Sequence, residues 1–202
     1  LFRWGSDTGS AADRSLNLAT SPMSHIQNSI TGYRMRGMAK SRLGDFKVAI
    51  SDLQKARDLN PNDSETAFGL AYALACIGNS ENSRSYAQTA YKLSPKDPLL
   101  GRFFYLAMAM GYFIDRDKEN FLNWAEKAIQ SAPHAPIRRA LMMAYAMEDN
   151  DEELAQKHYA ALNEFAPDFI PSVLSGENIL FSDDEHRQRV NDGLKAFLSL
   201  SN

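Results

Sequence analysis

The sequence predicts an all-α fold, in which antiparallel helical hairpins stack on one another and a C-terminal helix caps the stack. Three observations predict it: prolines recur at regular intervals, the segments between them repeat, and apolar residues recur at helical spacing. Proline cannot continue a helix but suits its first turn, so regularly spaced prolines divide a chain into short helices. Five prolines form a ladder with spacings of 39, 34, 38 and 34 residues: Pro22, Pro61, Pro95, Pro133 and Pro167.

Two segments between these prolines align with each other. The segments that begin at Gly44 and Gly78 each reach a proline after 17 residues, and Ala56 of the first matches Ala90 of the second. Glycine suits the tight turn inside a hairpin, and alanine lets two helices approach closely. A 34-residue period with these features resembles the tetratricopeptide repeat (TPR), and this resemblance implies a right-handed superhelix of helix pairs.

The ladder also sets the expected limits of four repeats. These repeats cover residues 30–63, 64–97, 98–135 and 136–169. The third is four residues longer, which predicts an extra turn in its first helix. In that repeat Phe121 occupies a position where a small residue is expected, and Ala125 occupies one where a large residue is expected. In the fourth repeat Asn150 replaces the turn glycine.

Two flanking regions lie outside the four repeats. Residues 1–29 are expected to form an N-terminal partial repeat, with a helix over residues 11–21. Because the sequence begins with Leu1 and not with methionine, we expect it to be cut from a longer chain.

Residues 170–202 are expected to form a connector and a C-terminal capping helix over about 182–199. Ser182 and Glu185 have the spacing of a capping box, which marks a helix start. Repeat arrays need a terminal element to cover the last apolar face, and this helix suits that role.

Composition and charge exclude several classes of function. The chain is 44% hydrophobic and 23% charged, with a net charge of −3, so no nucleic-acid partner and no membrane partner is expected. Its apolar stretches are shorter than the roughly 20 residues of a membrane span. The single cysteine, Cys76, excludes an internal disulfide. Together with the absence of a signal-peptide pattern, it predicts a cytoplasmic location.

No pattern of chemically active residues indicates an enzyme. The histidines are widely separated and do not have the spacing of metal ligands. They are His25, His134, His158 and His186. The acidic run from Asp149 to Glu153 lacks the ligand spacing of a calcium loop and suits a helix N-terminus better. We therefore expect no catalytic residue, no metal and no cofactor.

The expected functional surface is the groove lined by the first helices of successive repeats. Its predicted residues are Arg34, Met38, Arg42, Phe68, Tyr72, Phe103, Leu106, Met110 and Phe113, with Met35, Cys76 and Ile114 beside them. Methionine adapts to irregular partners and aromatic rings anchor contacts, so the groove predicts a protein partner, either an amphipathic helix or an extended chain. There are two alternatives: the C-terminal helix fills the groove, or the groove forms a homodimer interface.

A narrower resemblance concerns the segment LSPKDPLLGRFFYLAMAMGYF and the ending that starts at FAPDFIPSVL. Over about residues 30–200 the chain is similar to the C-terminal TPR regions of bacterial adenylate/guanylate cyclases and of certain winged-helix transcriptional regulators. The resemblance implies a non-catalytic, regulatory arm of a larger signalling protein. The alternative is a free-standing TPR chaperone or scaffold protein.

Overall fold

The computed structural model describes Asn17 and residues 29–200, and this part of the chain contains ten α-helices and no strand. The helices are α1 (Ile30–Arg42), α2 (Phe46–Leu59), α3 (Ser64–Cys76), α4 (Ser80–Leu93), α5 (Pro98–Ile114), α6 (Lys118–Ser131), α7 (Pro136–Glu148), α8 (Glu152–Asn163), α9 (Phe169–Leu174) and α10 (Asp184–Leu200). Apart from Asn17, the helix expected over residues 11–21 lies outside the described residues. Among the described helices, none has both the length and the apolar character that crossing a bilayer requires.

The first eight helices form four hairpins in chain order, α1/α2, α3/α4, α5/α6 and α7/α8. The predicted all-α hairpin stack is therefore confirmed. Pro98 and Pro136 are the first residues of α5 and α7, where the missing proline N–H costs no helical hydrogen bond. Helix α5 has 17 residues, whereas α1, α3 and α7 have 13, which accounts for the longer third interval of the ladder.

The turn inside each hairpin contains one residue in the left-handed backbone region. These residues recur at intervals of 34, 38 and 34 along the chain: Gly44 (φ 78°), Gly78 (φ 80°), Arg116 (φ 58°) and Asn150 (φ 57°). Glycine takes this conformation without strain and asparagine tolerates it, so Asn150 performs the role of the missing glycine. Arg116 also adopts this conformation, although its Cβ atom makes the conformation sterically unfavourable and arginine has no special tolerance for it.

The residue after each turn caps the second helix of its hairpin. Its side-chain oxygen accepts a hydrogen bond from the backbone N–H three residues later, which satisfies one of the free donors of the helix N-terminus. The four pairs are Asp45 with Val48, Asn79 with Asn82, Asp117 with Asn120, and Asp151 with Leu154. The acidic run near Asp151 thus includes a helix cap.

The exchanged pair in the third hairpin is buried. Phe121 is fully buried and its ring lies 4.3 Å from the ring of Tyr145 in α7, while Ala125 is 2% exposed. The large side chain of Phe121 reaches α7 of the fourth hairpin, and the small side chain of Ala125 leaves space inside the third hairpin. The exchange therefore keeps the space between the third and fourth hairpins filled.

The C-terminal helix begins one step later than its sequence pattern indicates. Asp183, and not Ser182, caps α10, since the Asp183 carboxylate accepts a hydrogen bond from the N–H of His186 at 3.1 Å. Helix α10 then packs along α7. A Cβ atom at Gly193 would lie 2.6 Å from the carbonyl oxygen of Ala144, so the two helices approach too closely there for any side chain.

Candidate functional site: the groove on the first helices

The predicted groove residues fall into two sets. One set lies on α1, on α3 and at the start of α5, and we call it the open half. It consists of Arg34, Met38, Arg42, Phe68, Tyr72 and Phe103. The other set lies further along α5 and is called the covered half; it consists of Leu106, Met110 and Phe113.

The apolar part of the open half is a connected strip. Met38, Tyr72 and Phe103 are each half-buried and pack around Phe68, which is 9% exposed. The rings of Phe68 and Phe103 stack with their centroids 4.3 Å apart. Phe68 therefore belongs to the core as well as to the strip, which corrects the expectation that it is a surface residue.

The two arginines of the open half have different surroundings. Arg34 donates from Nη1 to both carboxylate oxygens of Asp63, at 3.0 and 2.9 Å, and lies 3.1 Å from Glu65. These bonds hold it against the start of α3. Arg42 is exposed at the end of α1; packing around its guanidinium lowers its pKa, while nearby Tyr72 opposes that shift. The open half thus combines an apolar strip with a cation at one end.

Cys76 lies at the end of α3, one turn after Tyr72, and is fully buried. Burial raises the pKa of its thiol to about 12, although a hydrogen bond with Tyr72 acts in the opposite direction. The pKa of the Tyr72 hydroxyl is raised by proximity to Cys76 and by burial. A thiol with so high a pKa stays protonated at neutral pH, so it is a poor nucleophile.

The covered half does not offer a surface to a partner. Leu106 is 5% exposed, Met110 is 1% exposed and Phe113 is fully buried. The sequence predicts these three side chains to line an open groove, and the structure corrects this by placing them in the core.

The C-terminal segment of the chain, residues 176–200, covers Phe113. The ring of Phe181 stacks on the ring of Phe113, with centroids 5.6 Å apart and planes at 14°. The guanidinium of Arg189 lies 4.2 Å from the centre of the same ring and donates from Nη1 to the Phe113 carbonyl at 3.0 Å. Arg189 also forms a two-pronged ion pair with Glu148 of α7, at 2.7 and 2.8 Å. One arginine thereby joins α10 to two first helices.

The same segment is fixed to the end of α3. The backbone N–H of Ser182 donates to the Cys76 carbonyl at 2.7 Å, and its hydroxyl donates to the same oxygen at 3.2 Å. His186 lies against the turn at Gly78, where a Cβ atom would be 3.2 Å from the imidazole Cδ2. The C-terminal segment therefore extends from the end of α3 past Phe113 to α7, and it leaves Met38, Tyr72 and Phe103 partly exposed. The sequence contains no signal for the pairing of Phe181, Arg189 and Glu148, because none of them follows the repeat period.

The described residues contain no group of three or more histidine, cysteine, aspartate or glutamate side chains close enough to hold a metal ion. Of the four histidines, His25 lies outside this part of the chain. His134 and His186 pack edge-on against Phe165 and Phe181, and His158 lies beside Arg139. Each described histidine thus has a packing role.

Comparison with known proteins gives matches in one curated sequence and in several solved structures. No protein-family model matches the chain. A stretch of 89 residues is 37% identical to bacteriophage adsorption protein A of Escherichia coli (strain K12). The match takes in 44% of this chain but 8% of that protein, so the chain spans only a small part of its relative.

The solved structures resemble the chain along most of its length at low sequence identity. They include a MamA RS-1 double mutant (18% identity, TM-score 0.58, 78% of this chain and 86% of that one). A second is the Cut9–Hcn1 hetero-tetramer of the APC/C (14% identity, TM-score 0.68, 96% of this chain and 38% of that one). A third is YrrB, described as a TPR protein with an unusual peptide-binding site (11% identity, TM-score 0.53, 92% of this chain and 93% of that one). At these identities the likeness concerns the fold. Together with the four hairpins and their repeated turns, it shows that the chain has the fold of TPR proteins.

Proposed function

We propose that the chain is a non-catalytic protein-interaction module that holds an amphipathic helix of a partner protein in the open half of its groove. The observation that carries the proposal is the partly exposed strip of Met38, Tyr72 and Phe103, which lies over Phe68 and beside the exposed Arg42. Apolar and aromatic side chains that are partly exposed and packed against the core on their other side are typical anchors of an interface.

The covered half supports a helical occupant. Beside it α7, the first helix of the fourth hairpin, already accepts α10 of the same chain, whose buried residues Val190, Leu194 and Phe197 recur at helical spacing. A partner helix with the same periodicity would cover the remaining strip. The cation at the end of α1 favours an acidic residue at the matching end of that helix.

The test uses Met38→Glu and Arg42→Glu, which alter partly exposed side chains and leave Phe68 and Phe103 in place. A displayed library of amphipathic helical peptides is selected on the wild-type chain, and the Kd of each selected peptide is measured by fluorescence anisotropy. We expect Met38→Glu to weaken binding by more than about tenfold, since burial of a charged side chain in the interface replaces an apolar contact. The matched control is Leu59→Glu, which adds the same charge at a residue of α2 that is 54% exposed.

Peptides that bind Met38→Glu and Arg42→Glu as tightly as the wild type would contradict the proposed site. The double change Phe68→Ala with Tyr72→Ala is a poorer test, because it also removes the core contacts of Phe68 and is expected to destabilise the fold.

The finer assignment, a regulatory arm of a cyclase-like or winged-helix signalling protein, rests on the sequence resemblance alone. None of the similar proteins named above is described as a cyclase or as a transcriptional regulator. The complete reading frame tests it: a cyclase domain or a winged helix encoded upstream supports the arm, and another upstream domain contradicts it.

A further inference from the structure

A second surface lies away from the groove, where the end of α4, the start of α5 and the end of α6 surround a cavity of about 410 Å³. Its walls include Tyr91, Lys96, Gly101, Arg102 and Tyr105. Positions 101 and 105 are two residues before and after Phe103, so the helical turn of about 100° per residue places them on the opposite side of α5 from the open half.

Two rigid aromatic rings flank this cavity. Tyr91 stacks on the buried Phe104 at 4.6 Å, and Tyr105 stacks on Trp124 at 6.1 Å. Both tyrosines are half-buried, so each has one side supported by the core and another that remains accessible. Between them Gly101 leaves open space, because a Cβ atom at this position would meet nothing within 4 Å.

Three cations lie at or next to the cavity. Lys96 and Arg102 line it and are exposed. Arg138 of α7 is 6% exposed and donates from Nη2 to the Arg102 carbonyl at 3.2 Å, while its buried Nε has no hydrogen-bond partner. Burial is the main cause that lowers the pKa of Arg138 to about 10, and the like charge of Arg102 adds to it.

These cations are not neutralised within the described part of the chain, where no carboxylate lies within 4.0 Å of Lys96, Arg102 or Arg138. Asp97 is the one carboxylate among the described lining residues. The surface is thus locally positive in a chain whose net charge is −3.

We propose that this cavity is a second docking site, for an acidic segment of a partner protein whose carboxylates pair with Lys96 and Arg102 and whose proline or aromatic side chains lie against Tyr91 and Tyr105. Charge complementarity selects an acidic partner and disfavours a basic one. Grooves lined with aromatic rings accept extended, proline-containing segments, because the rings supply flat apolar contacts at little cost in conformational entropy. The site is independent of the groove on the first helices.

The probe is a short fluorescein-labelled peptide made of glutamate, proline and tyrosine, and its matched partner has glutamine in place of every glutamate. Anisotropy is measured at low and at physiological salt with the whole chain. We expect the acidic peptide to bind at least about tenfold more tightly than the neutral one, and its affinity to fall as salt rises.

Two variants locate the binding. Gly101→Leu fills the open space, and we expect it to abolish binding while circular dichroism and the urea midpoint stay at or above the wild-type values, since leucine favours a helix more than glycine does. The double change Lys96→Gln with Arg102→Gln is expected to weaken binding about tenfold or more. Its matched control, Lys47→Gln with Lys195→Gln, removes two exposed charges elsewhere and should have little effect.

Equal binding of the acidic and neutral peptides would overturn the proposal, and so would binding that survives Gly101→Leu. A single-stranded oligonucleotide that binds this cavity more tightly than the acidic peptide would also overturn it, because the site would then take a different class of ligand. Loss of binding in Met38→Glu but not in Gly101→Leu would assign the peptide to the groove instead.

Discussion

The ring of Phe181 lies parallel to that of Phe113, 5.6 Å away, and this stack joins the C-terminal segment to the first helix of the third hairpin. Phe181 and Phe113 are both fully buried, although 68 positions separate them in the sequence. The C-terminal segment is therefore part of the core of the stack and not an appendage to it.

Replacing Phe181 with alanine is expected to destabilise the protein by about 3–5 kcal/mol, because the change removes a fully buried ring and leaves a cavity. Urea unfolding followed by circular dichroism measures the loss. The control is Ile179→Ala, two positions earlier and 43% exposed, which should change the free energy of unfolding by less than about 0.5 kcal/mol. Equal effects of the two changes would show that the segment is not packed as described.

The ion pair between Arg189 and Glu148 gives a second measure of the same docking. Arg189 is 8% exposed, so Glu148→Gln leaves a buried guanidinium with a weaker partner and should cost about 1.5–3 kcal/mol. The exposed pair of Arg116 and Glu185 serves as the control, and Glu185→Gln should cost less than about 1 kcal/mol. If the two changes cost the same, the buried pair does not fix α10.

The sequence predicts the hairpins but not how their end is closed. Helix limits follow from local chemistry, since proline stops helices, and Asp45 or Asp117 caps the next one wherever the turn occurs. The contacts of Phe181 and Arg189 depend on where two distant parts of the chain meet, and no local pattern encodes that. The same reason explains the error at Ser182, whose N–H and hydroxyl both bond to Cys76 instead of capping α10.

The sequence predicts the open groove only in part, and the reason is similar. Helical spacing places Phe68 and Phe103 where their rings stack, but spacing does not reveal what covers Phe113. The structure leaves Phe103 half-buried and buries Phe113 fully. Phe113 is covered by Phe181 and Arg189 of the C-terminal segment and by Phe121 of α6, and these contacts explain the difference.

Arg116→Gly is expected to stabilise the protein by up to about 1 kcal/mol, because Arg116 has φ 58° and glycine takes this conformation without steric cost. The gain is limited, since glycine also increases the entropy of the unfolded chain. The reverse control is Gly44→Ala, where φ is 78° and a Cβ atom would meet nothing within 4 Å, so a loss of stability reports backbone strain, offset in part by the lower entropy of the unfolded chain. Because Arg116 also pairs with Glu185, both variants are compared in the Glu185→Gln background, where a destabilised Arg116→Gly variant would refute the strain at this turn.

Cys76 should react with thiol reagents only when the protein opens, because its thiol is fully buried and its pKa is raised to about 12. The rate of reaction with a disulfide reagent is measured in buffer and in denaturing urea. We expect the native rate to be lower by orders of magnitude and to increase in Phe181→Ala, which loosens the segment bonded to the Cys76 carbonyl. A native rate equal to the unfolded rate would contradict the burial of this thiol.

His158 is expected to make the stability of the protein depend on pH below neutrality. Burial and the nearby charges of Arg139 and Lys157 lower its pKa to about 4, and Arg139 Nη1 lies 3.3 Å from the neutral Nδ1. In the unfolded chain the imidazole has its ordinary pKa of about 6.5, so the unfolded state binds a proton first as the pH falls. Stability from this group is therefore fully present above about pH 6.5 and decreases towards pH 4, by up to about 3 kcal/mol.

The measurement is the free energy of unfolding of the wild type and of His158→Gln, whose amide oxygen can still accept from Arg139, at several pH values between 7 and 4. Carboxylates titrate in both proteins, so the difference between them isolates His158, and a difference that stays constant with pH would show that this imidazole is not held neutral in the folded protein.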